Sequence, residues 1–204
     1  MPPALRLRPA RWPDDEARLA ALDTSFETDR VYRVHRDPLA FALVEEPVAP
    51  PLRKTYPVLR PDAARLRGLG HVRVAEAGGV LVGLVAAAHA TWNRRVEVED
   101  LYVAPAARRR GVARALLHSV VTYARAVGAR CVWLETQTVN YPAVQVYRRL
   151  GFRLCGLDES LYDPEPPEPP EPPEPPEPPE PPEPPEPPER PEVALFFALD
   201  LTTG

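Results

Sequence analysis

A basic loop containing one glycine joins an apolar strand to an amphipathic helix near the middle of this chain. The strand is expected over residues 96–103 and the helix over 112–127, with Arg108, Arg109, Arg110 and Gly111 between them. The first N–H groups of a helix lack intrahelical partners and lie at the positive end of its dipole, so they bind phosphate. The segment therefore predicts either a phosphate-binding loop or a plain strand-to-helix turn with a solvated basic patch.

A second strand and helix follow this loop. Residues 131–136 alternate as a strand, and residues 140–152 read as a short helix. Asn140 is the expected N-cap, Pro142 falls in the first turn and Gly151 ends the helix.

These two segments carry spaced motifs that resemble the GNAT superfamily of N-acetyltransferases. The first runs Arg108-x-x-Gly111-x-Ala113, and the second runs Asn140-x-x-Ala143-x-x-x-Tyr147-x-x-x-Gly151-Phe152. The resemblance implies an α+β fold, in which helices flank a mixed, mainly antiparallel sheet, and a loop that grips the pyrophosphate of acetyl-CoA. The cofactor-binding residues that it implies are Leu101, Val103, Arg108, Arg109, Arg110, Gly111, Val112, Ala113, Asn140 and Tyr147.

Shorter runs are similar to the streptothricin (nourseothricin) acetyltransferases within that superfamily. They are residues 92–94, the pair Glu99-Asp100, residues 134–137, 161–162 and 193–197. The similarity covers roughly residues 73–162 and the last dozen residues. Those enzymes usually carry Gly at the last position of the loop motif, where this chain has Ala113.

One segment differs from the rest in composition. Residues 164–191 read Pro, then eight Glu-Pro-Pro units, then Glu-Arg-Pro. Proline at this density excludes helix and ladder and favours polyproline II or disorder. We expect a single domain over residues 1–204, with this segment as a separable insert before the last strand. Because the insert holds nine Glu and one Arg, the remaining body has a net charge of about +4 against −4 for the chain. That charge suits an anionic cofactor but is too small to indicate nucleic acid.

Cysteine usage and hydropathy exclude other classes. Cys131 and Cys155 fall in apolar strand-like runs without metal-ligand spacing, which predicts two buried thiols in a reducing cytosol and no metal site. There is no signal peptide, and no apolar run approaches the roughly 20 residues of a membrane span. The expected location is cytoplasmic.

The remaining elements are uneven in clarity. Residues 4–8 predict a strand, 13–22 a helix, 72–76 and 80–89 a hairpin, and 152–162 and 193–201 the last two strands. Residues 23–69 are difficult to assign: they hold a possible strand at 39–45, a proline-rich run at 46–51 and a possible helix near 61–69.

Amine acetylation by a thioester needs a proton acceptor for the amine and a proton donor for the thiolate. The resemblance implies that Tyr147 is the donor; the alternative is a tyrosine packed under the sheet. Val96 and Val98 would face the core and Glu97 and Glu99 the other side, unless a β-bulge turns Asp100. We rank the candidate bases Glu99, then Asp100, then Glu97, against a solvated strand face.

Three aromatic residues, Trp92, Tyr32 and Tyr56, either line an acceptor pocket or are ordinary core. The function that the sequence predicts is acetyl-CoA-dependent N-acetylation of a primary amine on a small molecule such as a streptothricin-like antibiotic. The alternatives are acetylation of a protein or peptide amine, and a CoA-binding module without catalysis. A homodimer that exchanges the last strand is one way to accommodate the insert; a bent insert is the other.

Overall fold

A computed structural model describes residues 4–56, 63–162 and 192–202. Nine strands and four helices follow one another along the chain. In order they are β1 (Leu5–Pro9), α1 (Glu16–Ala20), β2 (Phe26–Asp37), β3 (Ala40–Lys54), α2 (Ala63–Arg67), β4 (His71–Ala77), β5 (Val80–Ala90), β6 (Arg95–Val103), α3 (Val112–Ala126), β7 (Cys131–Gln137), α4 (Tyr141–Arg149), β8 (Arg153–Asp158) and β9 (Ala194–Asp200).

Seven strands form one sheet in the order β1-β4-β5-β6-β7-β9-β8, and β2 and β3 form a separate hairpin. Every neighbouring pair in the sheet is antiparallel except β6 and β7. Parallel neighbours need a crossover, and α3 supplies it. The α+β class and the mainly antiparallel sheet are as predicted.

The two faces of the sheet bury different helices. On one face α3 and α4 pack through Leu116, Leu117, Val144 and other residues in the larger core. On the other face α1 and α2 pack through Leu19 and Leu66 against β4 and β5 in a smaller core. Hydrophobic side chains from both faces of the strands therefore form two cores, one on each side of the sheet.

The region that the sequence left unassigned holds the long β2–β3 hairpin. Only residues 39–45 were expected as strand there, yet β3 continues through the proline-rich run, with Pro47 opposite Arg30. A two-stranded ladder tolerates proline because half of its backbone N–H groups point away from the partner strand. Repeated prolines hid this strand from pattern reading.

The last two strands and the two cysteines can also be compared with their predictions. Strands β8 and β9 are antiparallel neighbours, with Asp158 opposite Ala194. The insert between them lies outside the described residues. Cys131 is buried as predicted, but the prediction for Cys155 was wrong: it is exposed on the edge strand β8, where a single neighbour leaves one side open.

Candidate active site

The loop before α3 presents backbone N–H groups to solvent. A 3₁₀ turn at Pro105–Ala107 precedes it, Arg109 and Gly111 have positive φ of 61° and 80°, and α3 begins at Val112. Within the described chain, the backbone N–H groups of residues 109–114 donate no hydrogen bond. Arg109, Arg110 and Gly111 are exposed, whereas the side chain of Val112 is buried. This arrangement can receive an anion at the helix start.

Arg108 has a different task from its neighbours. Its Nε donates to the carbonyl of Val103 at 3.0 Å, and Nη2 donates to the carbonyl of Ser25. Desolvation lowers the pKa of this guanidinium. The side chain thus fastens the loop to β6 and to the start of β2, while Arg109 and Arg110 remain as exposed positive charge.

Strands β6 and β7 separate as they approach this loop. Their parallel ladder joins Arg95–Val98 to Cys131–Leu134. Beyond Val98, β6 continues to Val103 and β7 to Gln137, and no pair joins them there within the described residues. The wedge between the two strands opens beside Leu101 and Val103. The Val103 carbonyl is occupied by Arg108, but this side of β6 has no partner strand among the described residues and can contact a ligand.

Tyr147 lies on α4 under the sheet and is 7% exposed. Its ring contacts Phe152 and Phe197, each at a centroid distance of 6.0 Å. Burial raises the pKa of the phenol far above its ordinary value, and the charge of Glu135 raises it further. Among the described residues the hydroxyl makes no hydrogen bond. A phenol held neutral in this way keeps a proton to donate.

Asn140 caps α4 as predicted. Its Oδ1 accepts a hydrogen bond from the Ala143 N–H at 3.3 Å. The helix is held from outside by the hairpin, since the amide of Gln145 donates to the Tyr32 hydroxyl at 2.7 Å and Tyr32 packs against Tyr141. The cap and the hairpin together fix where α4 presents Tyr147.

A β-bulge separates the three predicted carboxylates of β6. Ala87 pairs with Val98 and Ala86 with Asp100, so Glu99 is the extra residue. Asp100 therefore shares the α1–α2 side with Ala86, and the simple alternation fails at Glu99. The bulge that the sequence analysis allowed for is present.

The surroundings of these carboxylates differ. Glu97 pairs with Arg95 at 3.1 Å. Asp100 is buried and accepts a hydrogen bond from Arg65 Nη2 at 2.6 Å. Glu99 lies 3.9 Å from Arg65 Nη1, and partial burial raises its pKa. Of the three, Glu99 has the longest ion-pair distance.

The sequence analysis missed a fourth carboxylate, Glu135 on β7. It accepts a hydrogen bond from the Tyr162 hydroxyl, and desolvation raises its pKa. Its charge acts on Tyr147. The signal was present in the period-two pattern of β7, because Leu134 and Thr136 are buried and Glu135 must face the other way.

The three suggested pocket aromatics have different surroundings. Tyr56 donates to Gln137, and its ring is tilted against that of Tyr102 at a centroid distance of 6.5 Å. Gln137 and Tyr56 both act on Tyr162, the partner of Glu135. Tyr32 is buried against α4, and Trp92 is 84% exposed in the β5–β6 turn. Of these three aromatics, Tyr56 is the one in the polar cluster with Glu135.

Two further properties concern the described residues alone. They contain no group of three or more His, Cys, Asp or Glu side chains that could hold a metal ion. None of the helices in the described ranges has the length and apolarity that a membrane crossing requires.

Comparison with known proteins identifies the family. Residues 29–152 match the sequence profile of the acetyltransferase (GNAT) family, and the chain belongs to it. It is 39% identical over 156 residues to the streptothricin acetyltransferase of Streptomyces lavendulae, which covers 74% of this chain and 82% of the relative. The crystal structure of nourseothricin acetyltransferase superposes with a TM-score of 0.76 at 38% identity, over 97% of this chain and 98% of that one.

A third comparison concerns the cofactor. A candidate streptothricin acetyltransferase from Bacillus anthracis str. Ames, solved in complex with acetyl coenzyme A, superposes with a TM-score of 0.71 at 19% identity, over 97% and 99% of the two chains. It shares the fold. The protein is a GNAT-family N-acetyltransferase, and enzymes of this family use acetyl-CoA.

Proposed function

We propose that this enzyme acetylates a primary amine of a streptothricin-like small molecule. The observation that carries the proposal is the open wedge between β6 and β7, together with the burial of Tyr147 on α4. The charge of Glu135 on β7 helps to raise the pKa of this phenol. Proteins with streptothricin and nourseothricin acetyltransferase in their names align over most of the chain. The polar cluster of Glu135, Tyr162, Tyr56 and Gln137 supplies acceptors that suit a cationic amine.

In this proposal acetyl-CoA binds with its pyrophosphate at the start of α3. The free N–H groups of residues 109–113 donate to it, and Arg109 and Arg110 add positive charge. Arg108 positions the loop through its two carbonyl contacts. The pantetheine arm enters the wedge along Leu101 and Val103, with Asn140 on the opposite side.

The reaction needs two proton transfers. The neutral amine nitrogen attacks the thioester carbon, the C–S bond breaks, and the amine proton passes to a carboxylate. Tyr147 donates its proton to the leaving thiolate. An ordinary thiol has a pKa of roughly 8.5, which is below that of the buried phenol. Tyr147 therefore stays protonated until the C–S bond breaks, and it then stabilises the leaving thiolate by donating its hydrogen bond and proton.

Two carboxylates are the best candidates for the proton acceptor. Glu99 and Glu135 both have raised pKa values, which suits a base working near neutral pH. Asp100 and Glu97 rank below them because each is held by a close arginine. Glu135 is the candidate whose charge acts on Tyr147, and Glu99 is the one that the sequence analysis favoured.

An acceptor panel tests the proposed substrate. Turnover of acetyl-CoA would be measured with streptothricin, with a simple alkylamine and with a peptide N-terminus. We expect kcat/KM to be highest for streptothricin. A peptide turned over more efficiently than streptothricin would contradict the proposal and favour the protein-amine alternative.

Gly111→Val tests the cofactor loop. A Cβ at Gly111 meets nothing within 4 Å in the protein, so its effects are backbone strain at φ +80° and obstruction of a close ligand. Gly128→Val is the matched control, because Gly128 has φ +70°, equally open space and a place at the other end of α3. Calorimetry should show weaker acetyl-CoA binding for Gly111→Val alone. Equal affinities in the two folded variants would remove the loop from the cofactor site.

Cytoplasmic location and a homodimer are further parts of this proposal. Sequence composition supports the first, and the position of the proline-rich residues 164–191 between the neighbouring strands β8 and β9 supports the second. Sedimentation of the full chain, compared with a variant in which a short Gly-Ser turn replaces residues 164–191, tests the dimer and the separability of the insert. A fully active monomer would exclude strand exchange.

A further inference from the structure

One arginine from α2 contacts two consecutive carboxylates of β6. Arg65 Nη2 donates to Asp100 Oδ2 at 2.6 Å, and Nη1 lies 3.9 Å from Glu99 Oε2. Asp100 is 6% exposed at the side chain, Arg65 33% and Glu99 38%. The cluster joins a buried anion to one that solvent and ligand can reach.

The packing of α2 explains how this contact arises. Ala63 and Leu66 are buried, and Leu66 belongs to the core that contains Ala86. Ala86 is the β5 partner of Asp100. Leu66 therefore fixes α2 beside the bulge, and Arg65, one position earlier on the helix, extends over it.

The charges that face Glu99 come from few elements. On its own strand they are Asp100 and Glu97, and Glu97 is already paired with Arg95. Strand β5 presents alanines at positions 86–88 opposite the bulge. Among the described residues, Arg65 is the cation that forms an ion pair with Glu99.

We propose that Arg65 is a positioning residue that shares its charge between Asp100 and Glu99 and so sets the protonation of Glu99 for amine acetylation. Asp100 anchors the guanidinium with the short bond, and Glu99 receives the weaker second contact. This inference rests on the proposed function, in which Glu99 is a candidate base.

Removing the charge of Arg65 and removing the charge of Asp100 should shift the titration of Glu99 in opposite directions. In Arg65→Gln the cation is lost and Asp100 repels Glu99, so the titration of Glu99 should move up by about one pH unit. In Asp100→Asn the repulsion is lost and Arg65 is free to pair with Glu99, so the titration should move down. Arg67→Gln on the same helix, whose partner is Glu16, is the matched control and should leave it unmoved.

Two readouts separate this proposal from the catalytic role. Carboxyl carbon NMR, with the Glu99 signal identified by its loss in Glu99→Gln, measures the titration directly. The pH dependence of kcat/KM measures catalysis. If the NMR titration shifts as expected but the acid limb of the rate profile does not, Glu99 is not the base and the positioning role of Arg65 on Glu99 remains.

A Glu99 titration that is equal in the wild type, Arg65→Gln and Asp100→Asn overturns the proposal whatever the activities are. If Arg65→Gln does not fold, Asp100→Asn and Arg65→Lys carry the test. Lysine keeps the charge but cannot reach both carboxylates with two separate nitrogens. We therefore expect Arg65→Lys to raise the titration of Glu99 by less than Arg65→Gln would. A Glu99 titration that is unchanged in Asp100→Asn still contradicts the proposal.

Discussion

Two charged clusters in this molecule shift the pKa values of their carboxylates in opposite directions. In the N-terminal cluster, Arg8 donates to Asp15 at 2.6 Å and to Glu76 at 2.7 Å, and Arg18 contacts both acids. Hydrogen bonds from Arg8 lower the pKa of Asp15 and of Glu76 to about 2. At the candidate active site, desolvation raises the pKa of Glu99 and of Glu135.

The difference lies in the number of close cations. The N-terminal cluster has two arginines for two acids, so its carboxylates stay ionised and tie β1, α1 and β4 together. At the candidate active site Glu135 accepts a hydrogen bond from a phenol, and Glu99 shares Arg65 with Asp100. A carboxylate without a close cation of its own is a better proton acceptor than one that is fully paired, which suits the proposed role as a base.

The substitution Tyr147→Phe should have the largest effect, a loss of catalytic turnover. The ring packing survives, while the proton donor is lost, so kcat should fall about 10²–10⁴-fold with little change in acetyl-CoA affinity or unfolding free energy. Steady-state kinetics and calorimetry measure these quantities. Tyr123→Phe, on α3 beside His71, is the control that should keep full activity. Full turnover in Tyr147→Phe would make this residue structural.

Asp15→Asn should produce the largest loss of stability. Asp15 is 1% exposed and Arg8 8%, and removal of one partner of a buried pair costs about 3–5 kcal/mol. We expect about 3 kcal/mol in urea unfolding, since Glu76 still neutralises Arg8. The folded variant should keep its kcat. A loss below about 1 kcal/mol would show that the cluster contributes little.

The pH dependence of unfolding should separate the two clusters by sign. Folded-state pKa values of about 2 lie below the ordinary 3.8 of Asp15 and 4.5 of Glu76, so their stabilisation is present above about pH 4.5 and is lost as the pH falls toward 2. A raised pKa has the opposite effect on stability. Because the folded state disfavours the ionised form of Glu135, this residue lowers the free energy of unfolding as the pH rises past 4.5.

Unfolding curves from pH 3 to 7 measure both trends. Asp15→Asn should flatten the acid side. Glu135→Gln should be at least as stable as the wild type at pH 7, because the cost of desolvating an ionised carboxylate is removed. A Glu135→Gln protein that is clearly less stable at pH 7 would contradict the raised pKa of that carboxyl.

The smallest expected effect is in the exposed pair of the hairpin. Arg33 Nε lies 2.7 Å from Glu46 Oε2, with 43% and 30% of the side chains exposed. Exposed pairs contribute roughly 0.2–1 kcal/mol. Arg33→Ala should therefore change the unfolding free energy by less than about 1 kcal/mol and leave turnover unchanged. A loss as large as that of Asp15→Asn would abolish the distinction between buried and exposed clusters.

Local signals in the sequence were sufficient for much of the fold. The hairpin of β4 and β5, the strand β6, the helix α3 after its basic loop and the Asn140 cap of α4 are all confirmed. In each case periodicity or a terminal residue acts within a few positions, so no distant contact is needed to specify it. The motifs of the loop and of α4 also identified the family.

Contacts between distant segments decided the rest. Proline concealed β3, whose pairing with β2 depends on a partner strand and not on local preference. Arg108 was predicted as part of the pyrophosphate loop, and only the tertiary structure shows that its guanidinium donates to the carbonyls of Val103 and Ser25.

The pKa values of the candidate site residues also depend on the tertiary structure. Glu99, Asp100 and Glu135 all carry carboxylate side chains on strands, so residue type alone cannot rank them. A bulge turned Asp100 toward Arg65, and α4 brought Tyr147 within the field of Glu135. The sequence by itself determined the elements, the family and the set of candidate groups, because those depend on short-range order. The tertiary structure alone decided which carboxylates are paired, because burial and distance to a charge set a pKa.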